Sequence, residues 1–64
     1  MEDENAIEEA QQLFESGAEV VYLAVLEHRV LVGRDPPNRP GVIVTARSIH
    51  EVRNFVRDLK LERR

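Results

Sequence analysis

The sequence predicts an α+β fold in the order α-β-β-β-α: a three-stranded antiparallel meander with two helices packed on it. Three observations predict it. Residues 4–16 and 48–63 each carry apolar side chains at three- and four-residue spacing, the rhythm of a helix with one buried stripe. Between them, "EVVYLAVL", "VLVG" and "VIVTAR" are short runs rich in β-branched residues, as strands are. The links joining these runs carry no helical pattern of the kind that usually connects parallel strands, which favours antiparallel pairing. A chain of 64 residues is expected to form a single domain. It buries only about 60% of the surface its unfolded form exposes, so its core is small.

The first helix is expected over residues 4–16, with Ala6, Ile7, Ala10, Leu13 and Phe14 as its buried stripe. Asp3 or Asn5 caps its start; Asn5 and Glu8 have capping-box spacing, and the early acids suit the positive end of the helix dipole. Gly17 after Ser16 is a helix stop, because glycine adopts the left-handed conformation that closes a helix. The first strand is expected over residues 19–26 and is apolar on both faces. Glu27, His28 and Arg29 form a tight turn, without the glycine or Asn-Gly signal that usually marks one. The second strand is expected over residues 30–33. An alternative is a single long strand through Gly33, giving an α-β-β-α chain with one two-stranded hairpin.

Residues 34–41 contain Pro36, Pro37 and Pro40, which cannot donate to a ladder and mark a loop. The stretch "RDPPNRP" has the Arg34-x-x-Pro37-x-x-Pro40 spacing that resembles ligands of proline-reading domains. Anchored between two strands, it is expected to act instead as a stiffened hairpin connection that brings Gly33 and Val42 together. The third strand is expected over residues 42–47. The second helix follows over residues 48–63, with Ser48 and Glu51 as a capping box and Ile49, Val52, Phe55, Val56 and Leu59 as its stripe. If both helices cover one face of the sheet, the other presents Tyr22, Leu31 and Ile43, a candidate homodimer interface.

Charge is divided along the chain. Residues 1–27 hold eight acids and no Lys or Arg, for −8; residues 28–64 hold nine Lys and Arg against four acids, for +5; the whole is −3. His50, Arg53, Arg57, Lys60 and Arg64 step by three or four residues and form a basic stripe on the second helix. Such a stripe can follow a phosphate backbone, but the acidic first helix and the negative net charge argue for an intramolecular or solvated role. Nucleic acid is therefore placed last among binding partners.

Enzyme chemistry finds no motif. His28 and His50 have no metal-ligand spacing with each other, there is no cysteine, and the glycines Gly17, Gly33 and Gly41 form no phosphate-cradling loop. Ser48 is explained as a cap, and Glu8, Glu9 and Glu15 as the solvated side of a helix. No catalytic residue, metal, cofactor, small-molecule substrate or membrane contact is expected. The acidic start and the absence of cysteine fit a soluble, cytoplasmic-type protein.

The element order resembles that of the double-stranded-RNA-binding domain and of the small toxin ribonucleases that share its fold. Their motifs do not accompany it: the second helix begins "SIHEVRNF" with a glutamate where such domains carry lysines, and His28 follows Glu27 rather than glycine. No functional residue is carried over. In style, the clean caps and short patterned elements resemble idealised, designed miniproteins, while the eight-to-one excess of arginine over lysine and the proline loop depart from them. The resulting expectation is a non-catalytic folded scaffold, with an interaction module using the open sheet face or the basic helix as its alternative.

Overall fold

In the structure, a computed structural model, residues 2–27, 29–34 and 42–62 are described. Two helices and three strands follow one another as α1 (Glu2–Glu15), β1 (Val21–Leu26), β2 (Arg29–Gly33), β3 (Val42–Ala46) and α2 (Ile49–Glu62). The class and the α-β-β-β-α order are those the periodicities predict, and the two-stranded alternative is replaced by a three-stranded sheet.

Helix α1 begins earlier than expected, so Asp3 and Asn5 both lie inside it and neither caps it. Consecutive acids at its start are favoured by the helix dipole, which lets the helix extend through them. Its end closes as a Schellman motif. The Ala18 N–H donates to Leu13 O and the Gly17 N–H to Phe14 O, both at 3.0 Å, with Gly17 at φ +102°. The Ser16 hydroxyl donates to Leu13 O at 2.8 Å and accepts from Arg34 Nη2 at 2.9 Å, which ties the residue after β2 to the end of α1.

Leu26 pairs with Arg29, so the connection is the two residues Glu27 and His28, and Arg29 belongs to β2 rather than to the turn. Glu27 sits at φ +49°. The primed hairpin turns share a positive φ at this position, because their twist matches that of the strands. A glutamate therefore occupies a site that glycine or asparagine fills more easily.

The strand order corrects the expected meander. The sheet runs β2-β1-β3, with β1 in the middle and antiparallel to both neighbours. Gly33 pairs with Tyr22 near the start of β1, and Val42 pairs with Val25 near its end, on the opposite edge. Residues 34–41 thus link opposite ends and opposite edges, and they do not bring Gly33 and Val42 together. All of this stretch but Arg34 lies outside the described residues, and so does the proline pattern within it. Hydrophobicity explains the order: only β1 is apolar on both faces, and the central position shields both faces best.

Rows across the sheet alternate between faces. Val32, Leu23 and Val44 form one row, Val30, Val25 and Val42 another, and Val21 lies opposite Ala46. This face meets both helices. Ala6 and Ala10 of α1 and Val52 and Val56 of α2 close over Val21, Leu23, Val30 and Ala46, with Ile7, Leu13, Phe14, Ile49, Phe55 and Leu59 around them. Both helical stripes are those the spacing names. Helix α1 packs chiefly over β2 and against α2, while α2 touches β3 much less.

Candidate functional site

The second helix starts as the sequence predicts, with one variation. Ser48 Oγ accepts from the Glu51 N–H at 3.3 Å, and the Ser48 carbonyl accepts from the Val52 N–H at 3.2 Å. The Glu51 carboxylate accepts from the N–H of Arg47, one residue before the cap, at 2.6 Å. The last residue of β3, Ala46, is therefore followed at once by a pinned helix start, and Ala46 is buried beneath it. Away from that pivot the cover thins along β3.

The consequence is visible in one row. Val30 and Val42 flank Val25 on the helix-bearing face, at opposite edges of the sheet. Val30 is 6% exposed and Val42 is 63% exposed. Ile43, the next residue, points to the other face and is 37% exposed. Exposure on both sides of consecutive residues marks the edge itself rather than either face. Thr45 is exposed as well, and no charged residue lies within the five positions Val42–Ala46. Natural edge strands are commonly blunted by charge, proline or a covering element, since their unpaired N–H and C=O groups invite another strand.

The expected interface residues Tyr22, Leu31 and Ile43 lie together on the face opposite the helices. Leu31, Ala24 and Ile43 form one row, and Gly33, Tyr22 and Thr45 the next. Tyr22 and Leu31 are half-buried, and Ala24 between them is fully buried. The Tyr22 ring lies over Gly33, where a Cβ would collide with it. Glycine here lets the ring cover the neighbouring strand's backbone, an arrangement that pins the β1–β2 register. Ile43 alone of the three is exposed. The exposed Val42 escaped sequence reasoning because parity assigns it to the covered face.

Of the basic stripe, His50, Arg53, Arg57 and Lys60 are all exposed on α2, and Arg64 lies outside the described residues. Arg57 Nε lies 3.8 Å from Asp58 Oδ1, a contact between exposed neighbours that contributes little to stability. His28 also lies outside the described residues. A shallow depression of about 360 Å³ is lined, among the described residues, by Leu26, Glu27, Arg29 and Leu31. Among the described residues no group of three or more His, Asp or Glu is placed to hold a metal ion. No described helix is long and apolar enough to cross a membrane.

Comparison of the chain with protein-family models, with curated proteins and with solved structures gives no match. What the chain shares with the double-stranded-RNA-binding fold is the order of its elements.

Proposed function

We propose that the protein works by association, as a non-catalytic interaction module that docks a protein partner along the β3 edge of its sheet. The observation that carries this reading is the contrast within one row, Val30 at 6% and Val42 at 63% exposure. Among the described residues three large apolar side chains are exposed: Val42 and Ile43 are consecutive on β3, and Leu61 lies in the last turn of α2. An apolar, uncharged strand edge supports binding by strand addition, in which main-chain hydrogen bonds give affinity and alternate side chains give specificity.

The interaction-module reading is preferred to that of a designed scaffold whose role is only to fold. Glu27 at positive φ and a proline-rich link between opposite edges of the sheet are choices that idealised designs avoid. An edge strand without a charged residue is another.

A photo-crosslinking residue such as benzoylphenylalanine tests the proposal. Placed at Ile43 in cells that make the protein, it gives a discrete crosslinked product on irradiation; placed at Glu9 on α1, it gives none. No product from position 43, or equal yields from both positions, overturns the reading.

The exposed stripe of α2 supports a second reading, contact with phosphates. The negative net charge weighs against it, and no salt-sensitive shift of an RNA or DNA duplex is expected near physiological salt. A submicromolar complex weakened by Arg53→Glu with Arg57→Glu, and falling with added salt, establishes it instead.

A further inference from the structure

Resting on that reading, we infer that the occupant of the β3 edge is a second copy of the chain, added antiparallel through its own β3 about a two-fold axis at Val44. The two sheets then run on as one, β2-β1-β3 continuing into β3-β1-β2 of the partner.

Three features of the strand point to a second copy. A two-fold through Val44 of this five-residue strand leaves every residue of Val42–Ala46 opposite another. The pairing is complementary in size: exposed Val42 meets the small, buried Ala46 on the helix-bearing face, and Ile43 meets Thr45 on the other. On the face away from the helices Ile43 thus meets the other copy's exposed, slimmer Thr45, while Ala46 is already covered by its own α2. Finally, the edge is uncharged across its length, so the segment that fits it is short, uncharged and β-branched, which describes β3 itself. Strand β2 lacks this symmetry. It begins at exposed Arg29 and is followed by Arg34, which is held against Ser16.

A small core adds a motive. Of the eight residues in its buried cluster, three are alanines, Ala6, Ala10 and Ala46. Chains of this size commonly gain stability through association. A five-residue strand pair buries less than the ~1,200 Å² of a standard stable interface. The dimer is therefore expected to be weak, with half-association between about 10 µM and about 1 mM.

Sedimentation equilibrium of the full chain over that range tests the inference. The expected result is a monomer–dimer equilibrium that Val42→Lys with Ile43→Lys weakens at least about tenfold, because charge on an edge strand opposes pairing. Leu61→Lys, which removes the exposed apolar residue off the sheet, leaves it unchanged. Unaltered circular dichroism and unaltered fluorescence of Tyr22, the only tyrosine in a chain without tryptophan, confirm that the lysine variants fold. A strict monomer at every concentration overturns the inference, and so does a dimer lost on Leu61→Lys and kept with the β3 lysines. A monomer that still crosslinks through position 43 to a heavier protein refutes the second copy while leaving the docking edge standing.

Discussion

The two edges of this sheet start from similar material and end differently. Strands β2 and β3 are each five residues long, both pair antiparallel with β1, and both place valines on the helix-bearing face. The β2 edge lies beneath α1, is joined to β1 by a two-residue turn and is tied by Arg34 to the end of α1. The β3 strand is buried at Ala46, at the pivot made by Arg47, Ser48 and Glu51, and exposed at its other end, Val42. Similar strand chemistry thus gives, among the described residues, a strand well covered by a helix on one side and a sparsely covered one on the other. What separates them is the helix overhead, because a strand's own sequence sets which way its side chains point but not what covers them.

The largest effect is expected where both edges depend on one residue. Leu23 is fully buried on the central strand, and Leu23→Ala is expected to cost about 2–5 kcal/mol, since the removed methyl groups leave a cavity between two helices and a sheet. Urea unfolding measures it; a cost below about 1 kcal/mol, the range of surface changes, breaks the picture of a shared core.

The sharpest comparison comes next. Val30→Ala and Val42→Ala delete the same atoms at mirrored positions of one row. The first is expected to cost about 1.5–3 kcal/mol through lost burial and cavity formation, and the second no more than about 0.5 kcal/mol, as for an exposed site. Measured at a concentration where the chain is monomeric, equal costs erase the difference between the edges.

The smallest effect is a gain. Glu27→Gly at the hairpin tip relieves a left-handed conformation that costs an ordinary residue about 1–2 kcal/mol. Glycine returns part of this through its greater unfolded-state freedom. The net stabilisation is expected to be about 0.5–1 kcal/mol in thermal or urea unfolding. A loss of stability on this substitution shows that the Glu27 side chain holds the β1–β2 end together by contacts of its own.

Much of the local structure was legible in the residues. The stripes of Ala6, Ala10, Leu13 and Phe14 and of Val52, Val56 and Leu59, the Ser48–Glu51 cap and the Gly17 stop depend on neighbours within about five positions, and such signals survive in any tertiary setting. Strand order did not emerge, because pairing is a long-range choice among strands of similar composition. Its signal was nevertheless present: "VYLAVL" is apolar on both faces, which suits a strand flanked on both edges better than one at the margin. The turn at Glu27 carries no glycine, so its length followed only from the pairing of Leu26 with Arg29. Parity placed Tyr22, Leu31 and Ile43 on the face away from the helices, and they lie there. Parity also placed Val42 beneath a helix. Its exposure arises from where α2 leaves the sheet, a property of helix placement that no pattern in β3 encodes.

Residue-by-residue amide hydrogen exchange, followed by NMR at low and high protein concentration, tests the pairing of two copies along the β3 edge most directly. The account predicts that protection within Val42–Ala46 rises with concentration, while Arg29–Gly33 exchange at the same rates throughout. Protection that grows along β2, or that stays constant along both strands, contradicts it.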